Sequence, residues 1–519
     1  MRESIEKAVR EVLGVDIPFV VERPRALQHG DYSTNAALVA KVDPTALADK
    51  LKIEGVERIE VVGKFINFFL SREELVPKEQ KIPQLYAGKK IMVEYTDPNP
   101  FKEFHIGHLM SNAIGEAIAR LLEASGGQVV RANYQGDVGP HVAKAIWGKM
   151  QKSTASWGEA YTYGDSEYEA HKEEIDEINK KIYDRSVTKI NELYDAGRKE
   201  SLDSFEKIYK TLGTKFDYYF FESETAPKGL VLVKAHPEIF VESEGATVFH
   251  GAHTRVFVTS RGLPTYETKD LGLLQLKKET VDIGESITVT ANEQNDYFTV
   301  VLEAAKQIPE IADIAQKTKH ISHGMMRFAD SKMSSRTGNV VTGESLLADL
   351  TKAARGREDV AVGAIKYTVL KSGSGKDIIF DPEKSLSLEG DSGPYLQYAL
   401  VRARSLLRAA KEAGIDPNEW TQDGRRSGPL GQVLPAPMVP LVRVLVHYCD
   451  VVERAAKEME PHYVTTYLTE LAAAFNSWYA QEKVIGGPHP HYGVFLTQAV
   501  ERTLAQGLNL LGIPTPEEM

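Results

Sequence analysis

Residues 90–134 read KIMVEYTDPNPFKEFHIGHLMSNAIGEAIARLLEASGGQVVRANY. Residues 91–95 form a short apolar run, which is typical of a buried parallel strand. A turn rich in proline and asparagine follows at residues 97–100, and a helical pattern then runs from about residue 107 to residue 124. Residues 129–134 form a second strand-like run. This strand–helix–strand spacing predicts the opening βαβ unit of a doubly wound, Rossmann-type nucleotide-binding domain in an α/β protein.

The whole chain has 519 residues, which is too long for a single core and indicates several domains. Residues 1–80 have a helix pattern and then a strand pattern near residues 61–70, which predicts a small N-terminal α/β domain. We expect the nucleotide-binding domain to span residues 88–380. An insertion at about residues 150–250 would interrupt it, since its first part is highly charged and favours solvated helices.

Residues 381–519 are predicted to form a C-terminal α-helical bundle. Its first helix carries apolar residues at helical spacing, namely Leu396, Leu400, Ala403, Leu407 and Ala410. Two more amphipathic helices are expected at about residues 439–457 and 495–511.

Composition restricts the class of protein and its location. The chain is 42% hydrophobic and 26% charged, as in ordinary soluble globular proteins, and has no continuous apolar stretch of about 18 residues. The only cysteine, Cys449, excludes an internal disulfide and a zinc site with several cysteines, and no metal-binding residues are predicted. We therefore expect a cytoplasmic protein with no membrane or DNA partner. The net charge of −11 argues against nonspecific nucleic-acid binding but allows local basic faces for RNA.

The first chemical motif is His105-Ile106-Gly107-His108, at the start of the predicted helix. Two imidazoles three residues apart share one face of a helix start, where free N–H groups and the helix dipole favour phosphate. Gly107 leaves room for a nucleotide to approach the backbone. The motif predicts a nucleotide site. The plain alternative is a pair of surface histidines in a turn.

The second motif is the polar loop Lys332-Met333-Ser334-Ser335-Arg336. A loop with two cations can close over a triphosphate and neutralise charge as pyrophosphate leaves. Taken alone, an exposed basic loop explains these residues equally well.

In their order and separation, the two motifs resemble the signature of class I aminoacyl-tRNA synthetases. Six segments, spread over nearly the whole chain, are similar to arginyl-tRNA synthetases in particular. They are HGDYSTNAAL, GKFINFFL, EYTDPNPFKEFHIGHL, KMSSRTGNVV, GPYLQYALVRA and LNLLGIPTPEEM. The resemblance implies a class I catalytic domain with an insertion, an N-terminal tRNA-binding domain and a C-terminal anticodon-binding domain.

The resemblance also implies a reaction. L-Arginine and ATP, with Mg²⁺, would give arginyl adenylate and pyrophosphate. The arginyl group would then pass to the 2′-hydroxyl of the terminal adenosine of tRNA-Arg. Activation of arginine would require bound tRNA, and the enzyme is expected to be a monomer.

The family's arginine pocket maps onto five residues of this sequence. The resemblance implies that Asp270, Tyr266 and Glu94 hold the guanidinium, and that Asn99 and Gln294 hold the α-amino end. Carboxylates suit the planar fork of a guanidinium. For each residue the plain alternative is a capping asparagine, a core tyrosine or a solvated acid.

The implied catalytic residues are His105 and His108 at the α-phosphate, and Lys332 and Arg336 at the pyrophosphate. The ATP-binding set would also include four neighbours of these residues, namely Gly107, Met333, Ser334 and Ser335.

The sequence departs from the family in several places. The usual second lysine of the polar loop is Ser335, and Lys102, just before the first motif, is expected to take its role. Glu103 replaces a usual proline, Met110 a usual arginine, and Asp97 a common serine beside the α-amino group. These departures put in doubt how the substrates are positioned in detail. They do not change the expected class of reaction.

The resemblance implies that tRNA contacts lie on the two outer domains. Single-stranded bases stack on aromatic rings, so Tyr398 and Trp478, with Tyr479 and Tyr492, are candidates in the anticodon-binding domain. Asn67 is a weak candidate in the N-terminal domain. Core packing explains each of these aromatic residues equally well.

Three other functions were weighed. A class I synthetase for lysine or glutamate conflicts with the arginyl-type N-terminal domain and the Tyr266/Asp270 pair. A silent tRNA-binding paralogue conflicts with intact His105, His108 and Lys332. A nucleotidyltransferase of the same superfamily would be shorter and lack the helical bundle.

Overall fold

We describe the protein from a computed structural model that covers residues 1–24, 26–77, 81–329, 341–417 and 439–519. The N-terminal part is an antiparallel sheet of order β1-β2-β4-β3 with small helices packed on it. Its elements are α1 (Arg2–Leu13), β1 (Val21–Glu22), β2 (Tyr32–Thr34), α2 (Ala36–Ala40), α3 (Pro44–Ala48), β3 (Val56–Val62), β4 (Phe65–Leu70) and α4 (Arg72–Leu75).

The prediction of one strand near residues 61–70 is wrong in extent. The segment forms a hairpin of β3 and β4, which turns at Gly63, where φ is +62°. Glycine adopts this left-handed conformation without a steric cost, so the chain can reverse here.

The middle of the chain is built on a parallel five-stranded sheet of order β12-β11-β5-β6-β7. Its strands alternate with helices, as the sequence predicts. A separate antiparallel sheet holds β8 to β10, and β13 pairs with β14. The strands are β5 (Lys90–Glu94), β6 (Gln128–Gln135), β7 (Tyr218–Phe221), β8 (Val241–Ser243), β9 (Ala246–His250), β10 (Thr254–Val258), β11 (Glu285–Ala291), β12 (Thr318–His323), β13 (Met326–Phe328) and β14 (Ile378–Phe380).

Helices fill the connections between these strands. Four of them lie between β6 and β7 and share a separate apolar cluster that includes Ile146, Trp157 and Ile175. The helices of this region are α5 (Ile106–Ala124), α6 (Pro140–Gln151), α7 (Trp157–Ser166), α8 (Lys172–Asp184), α9 (Thr188–Leu212), α10 (Glu222–Ala235), α11 (Tyr266–Thr280), α12 (Asn295–Ala305), α13 (Ala312–Lys317), α14 (Gly343–Ala353), α15 (Glu358–Leu370) and α16 (Pro382–Ser385).

The C-terminal part is helical, as predicted, with α17 (Gly393–Glu412), α18 (Val439–Leu445), α19 (Tyr448–Glu458), α20 (His462–Gln481) and α21 (Pro490–Leu510). Three details of the sequence prediction are wrong. The helix expected at residues 439–457 is two helices, α20 was not foreseen, and Leu406 packs into the core more fully than Leu407.

The N-terminal domain packs against the C-terminal bundle through charged pairs. Arg443 on α18 donates to the buried Asp31 at 2.6 Å, and Tyr32 donates to Asp450 on α19 at 2.6 Å. One apolar cluster continues from Phe68 of the N-terminal sheet through α5 to the bundle. In the residues that the structure covers, no helix combines the length and apolarity needed to cross a membrane.

Candidate active site

The main cavity lies at the carboxyl ends of β5, β6 and β11 and has a volume of about 620 Å³. From β5 the chain proceeds to β6 and β7 on one side, and it later returns to β11 on the other side of β5. Ligands of open α/β sheets bind at such a switch in strand order. The volume falls in the range of small-molecule sites.

His105 and His108 form one compact turn at the mouth of this cavity. His105 precedes the first residue of α5, and its backbone N–H donates to Nδ1 of His108 at 3.2 Å. The two rings stack with centroids 3.4 Å apart. A Cβ atom at Gly107 would lie 3.1 Å from the His105 ring, so glycine allows the ring to fold back over the helix start. Gly107 itself also lines the cavity.

Both imidazoles are neutral at pH 7. Protein atoms packed around His105, and the nearby ammonium of Lys102, lower its pKa to about 4. Burial, with the charges of His105 and Lys102, holds the pKa of His108 well below its ordinary value. Because Nδ1 of His108 accepts a hydrogen bond, Nε2 of the neutral ring carries the proton and can donate it to a ligand.

The connection from β5 to α5 has an unusual backbone. Thr96, Asp97 and Phe101 have φ of 82°, 45° and 70°, a region that non-glycine residues enter at a cost of about 1–3 kcal/mol each. Hydrogen bonds hold the segment in place: Thr96 N–H donates to Ser111 Oγ at 2.9 Å, and Asp97 Oδ1 accepts from Tyr134 N–H at 2.7 Å. Strain of this kind concentrates at functional sites.

Asp270 and Tyr266 lie on α11, one helical turn apart, and both line the cavity. Asp270 Oδ2 accepts a hydrogen bond from Tyr297 at 2.7 Å. Burial, together with the charge of Glu94, raises the pKa of Asp270 to about 7. Tyr266 is more than half exposed, so its ring forms part of the cavity mouth.

Glu94, the last residue of β5, lies deep in the same cavity and is 2% exposed. Its Oε1 accepts a hydrogen bond from Thr288 at 3.2 Å, and its Oε2 lies 2.9 Å from Nζ of Lys277. Sequence reasoning did not find this lysine. Lys277 follows Asp270 by seven residues, so it repeats on the same face of α11, and that spacing is a signal that could have found it.

Asn99 and Gln294 complete the predicted set of five, and both line the cavity. Asn99 packs against Gly136, where a Cβ atom would lie 2.2 Å from Asn99 Oδ1. Gln294 ends the short 3₁₀ helix Asn292–Gln294 that follows β11. The structure therefore brings the two residues to the same cavity as Asp270 and Glu94.

A second buried ion pair at the cavity was also missed. Lys269 Nζ lies 2.6 Å from Glu222, and both side chains are almost fully buried. Burial raises the pKa of Glu222, and its partner lysine opposes that shift. Nearby, burial lowers the pKa of His141 to about 3, and its Nε2 pairs with the Gly136 carbonyl at 2.8 Å.

Lys102 lies beside the histidine turn, with Nζ 4.7 Å from the centre of the Tyr161 ring. Burial lowers its pKa. It also borders a smaller cavity, with Glu103 and Thr342. Its charge also contributes to the lowered pKa of both His105 and His108.

The predicted residues Lys332, Met333, Ser334, Ser335 and Arg336 lie outside the described residues. The chain on either side of that gap is fixed. Ala329 N–H donates to the Phe380 carbonyl at 3.0 Å, and Gly343 N–H donates to the Phe104 carbonyl at 2.7 Å. Thr342 also forms a β-bridge with His105, so the segment returns to the chain at the histidine turn.

The candidate tRNA-contacting residues differ in how much of their surface is exposed. Asn67 on β4, Trp478 and Tyr492 are at most 4% exposed, so packing accounts for them and their side chains do not reach the surface. Tyr398 is half-buried and Tyr479 is exposed. Asn67 lies on the face of β4 that also carries the exposed Phe65, whereas Trp478 lies on the buried face of α20.

The fold and the site together define a class I aminoacyl-tRNA synthetase. A family model described as tRNA synthetases class I (R), catalytic domain, matches residues 72–381, which is more than half of the chain. The arginyl tRNA synthetase N terminal domain matches residues 1–70, and the DALR anticodon binding domain matches residues 396–519.

Whole-chain comparisons agree with these domains. The chain is 29% identical to an arginine–tRNA ligase from Clostridium kluyveri, with 98% of each chain covered. It is 28% identical to that of Lactobacillus delbrueckii subsp. bulgaricus, with 97% of this chain and 96% of the relative covered. The solved arginyl-tRNA synthetase of Thermus thermophilus superposes with a TM-score of 0.81 at 27% identity, and each chain is covered completely. The chain belongs to the arginyl-tRNA synthetase family.

Proposed function

We propose that this protein ligates L-arginine to tRNA-Arg at the expense of ATP. One observation carries the proposal: Glu94, Asn99, Tyr266, Asp270 and Gln294, which the family resemblance selects, line one cavity together with His105, Gly107 and His108. These residues come from three separate segments of the chain, which are residues 94–108, 266–270 and 294. A cavity that combines carboxylates with a helix N-terminus suits a cationic amino acid beside a phosphate.

In this proposal the guanidinium lies between Asp270 and Glu94, with the Tyr266 ring at the mouth. Asn99 and Gln294 hold the α-ammonium, and Asp97 lines the same cavity, where burial, together with the charge of Glu94, holds its pKa well above the ordinary value. The substrate carboxylate then points towards the histidine turn. Carboxylates in fixed positions recognise the planar fork of arginine better than the single ammonium of lysine.

The chemistry proposed is an in-line displacement. A carboxylate oxygen of arginine forms a bond to the α-phosphorus of ATP, while the bond to the bridging oxygen breaks and pyrophosphate leaves. The nucleophile is already ionised, so no general base is needed, and positioning and charge stabilisation provide the catalysis. His108 would donate from Nε2 to the α-phosphate, with His105 beside it.

Lys332 and Arg336 are proposed to neutralise the leaving pyrophosphate. The return of their segment at Thr342, bridged to His105, supports this placement. Mg²⁺ is proposed only as part of the MgATP substrate. Among the residues described, no three histidine, cysteine or acidic side chains are grouped to hold a metal ion.

Lys102 is proposed to replace the cation that the family usually carries at the position of Ser335. Lys102→Ala should lower the single-turnover rate of arginine activation by about 100-fold, because one cation near a developing phosphate charge contributes about 3 kcal/mol. Rapid-quench measurement of arginyl-adenylate formation tests this. The exposed neighbour pair Lys199–Asp203 offers a control in Lys199→Ala. A Lys102→Ala rate close to that of the unaltered chain would remove this role.

The second step transfers the arginyl group to the 2′-hydroxyl of the terminal adenosine of tRNA-Arg. We propose that the anticodon binds on the C-terminal bundle. Tyr398 and Tyr479 offer accessible rings there, with Arg402 between them at 4.8 Å and 5.5 Å from the ring centres. Aromatic rings and arginine planes are what unstacked bases bind. The enzyme is further proposed to act in the cytoplasm as a monomer.

The first experiment is arginine-dependent exchange between ATP and labelled pyrophosphate, with and without tRNA-Arg, and with lysine as the control amino acid. Exchange that needs arginine and tRNA together supports the whole proposal. Exchange with lysine in place of arginine would reassign the pocket. No exchange under any condition, in a folded protein, would favour a silent tRNA-binding role.

A further inference from the structure

Lys277 is a fully buried cation that neither motif nor family resemblance assigned. Its side chain is 1% exposed, and it ends a line of cavity residues on α11 that starts with Tyr266 and Asp270. Burying an ammonium group is costly unless a carboxylate compensates it. Here the compensating group is Glu94, 2.9 Å away, which lies in the same cavity.

Glu94 is held on two sides. Thr288 on β11 donates to Oε1, and Lys277 on α11 faces Oε2. Its backbone is fixed within β5, between β6 and β11. The carboxylate therefore has a single orientation, and its remaining lone pairs point in fixed directions.

Two further carboxylates face the same space without a cation. In the described part of the chain, Asp97 and Asp270 form hydrogen bonds with Tyr134 N–H and the Tyr297 hydroxyl, but neither forms an ion pair. Lys277 therefore pairs with Glu94, whereas Asp97 and Asp270 have no paired cation among the described residues.

We propose that Lys277 is a positioning residue for arginine recognition: its ammonium group holds the Glu94 carboxylate in one orientation, so that the guanidinium meets a fixed acceptor. Lys277 acts through Glu94 and does not itself contact the substrate. The inference rests on the proposed arginine pocket. If the unaltered chain shows no arginine-dependent exchange, the proposed function fails, whereas the variants below test Lys277 in an arginine-active enzyme.

Removing the ammonium should change the pH dependence of arginine binding. The charged side chains that line the cavity with Glu94 are Lys277, Asp270 and Glu267 from α11, Asp97 from the β5–α5 connection, Glu222 from α10, Glu293 after β11, and Arg255. The charge of Lys277 favours the ionised forms of Asp97 and Asp270, so without it the carboxylates of the cavity disfavour one another's ionisation more strongly. In the site without Lys277, binding of the guanidinium must then displace more protons from these carboxyl groups than it does in the unaltered site.

The test compares Lys277→Met with Lys277→Arg and with Lys278→Met. Lys278 is the adjacent lysine, and it pairs with Asp313 on the surface at 2.7 Å. With tRNA present, Lys277→Met should raise the KM for arginine roughly 30-fold or more, with a much smaller change in kcat and in the KM for ATP. Its KM should also rise more steeply as the pH falls. Lys277→Arg should restore most of the affinity, and Lys278→Met should match the unaltered chain.

A double-mutant cycle with Glu94→Gln shows whether Lys277 acts through Glu94. In the Glu94→Gln background, Lys277→Met should raise the KM for arginine by no more than about threefold, because only its smaller effect on Asp97 and Asp270 remains. A larger loss there would overturn the inference, as would a folded Lys277→Met with the KM and pH profile of the unaltered chain. If the single variant does not fold, the double variant, which removes both buried charges, is compared with Glu94→Gln alone, and the same criterion applies.

Discussion

Asp270 should give arginine binding a pH dependence near neutrality. Its pKa is raised to about 7 in the free site, because burial and the charge of Glu94 disfavour its ionised form. A bound guanidinium favours the ionised form of Asp270. Arginine binding therefore releases a proton from Asp270 when the pH is below the raised pKa, and releases none when the pH is above it. Arginine affinity should therefore fall as the pH drops through about 7, by up to about tenfold per pH unit.

Calorimetry of arginine binding at about pH 6, 7 and 8, in buffers with different ionisation enthalpies, measures both the affinity and the released proton. Asp270→Asn should bind arginine about 100-fold more weakly and lose this dependence on pH. A flat affinity profile for the unaltered chain would contradict the assignment of Asp270 to the guanidinium.

His108 offers a test of which ring nitrogen matters. Nδ1 accepts from the His105 backbone, so Nε2–H is the atom left for the α-phosphate. Asparagine can replace Nδ1, and glutamine can replace Nε2. We expect His108→Gln to lose about tenfold in the rate of adenylate formation and His108→Asn about 100-fold, since only the first keeps the donor. Stopped-flow or quench-flow measurement of adenylate formation tests this order of rates. If His108→Asn is instead the faster variant, the role of His108 is to accept the hydrogen bond from the His105 backbone at Nδ1, and not to donate from Nε2.

At the scale of elements, the end of β6 positions Asn99, to which the proposal assigns the α-amino end of arginine. Gly136 has no side chain, and Asn99 occupies the space where a Cβ atom would stand, 2.2 Å from Asn99 Oδ1. Gly136→Ala should therefore displace Asn99 and raise the KM for arginine by about 10–100-fold, while the KM for ATP changes little. Gly63→Ala, at the distant β3–β4 turn, is the control for a general loss of stability. Equal changes in both KM values would show that the whole sheet edge had moved.

The elements that the sequence predicted well are those with a strong local pattern. β5, α5 and β6 lie within a residue or two of the predicted limits, because a buried strand and a long apolar helix face have clear periodicity. α20 was missed, although its buried residues Val464, Leu468, Leu471, Phe475 and Trp478 recur at helical spacing, and that periodicity is a signal that could have found it. The hairpin of β3 and β4 was merged into one strand because a single glycine marks its turn.

The prediction of the site residues from the sequence has the same limit: only residues with a local signal were found. Residues carried by a motif, such as His105 and Asp270, were assigned by resemblance, and the fold brings them to one cavity. The spacing from Asp270 marks Lys277 as a residue of the same helix face, but its partner Glu94 and the pairing of Lys269 with Glu222 depend on the packing of elements distant in sequence, which no local pattern encodes. Trp478 was chosen as an aromatic residue, and only the packing shows that its side chain is buried.

At the scale of the whole molecule, the N-terminal domain should affect tRNA more than ATP. It contacts the C-terminal bundle through Arg443–Asp31 and Tyr32–Asp450, far along the chain from the sheet edge that carries the cavity. Deleting residues 1–80 should therefore raise the KM for tRNA about tenfold or more and leave the KM for ATP within about twofold.

The deletion removes two things, the domain's own RNA contacts and its support of the bundle, and a point variant separates them. Arg443→Met in the full-length chain leaves Asp31 buried without its partner, which should lower the free energy of unfolding by about 3 kcal/mol while the domain stays present. If the domain contacts RNA directly, this variant lowers the Tm but changes the KM for tRNA far less than the deletion does. If both variants raise that KM equally, the domain serves tRNA by orienting the bundle. If the deletion raises the KM for ATP as much as that for tRNA, the assignment of residues 1–80 to tRNA is wrong.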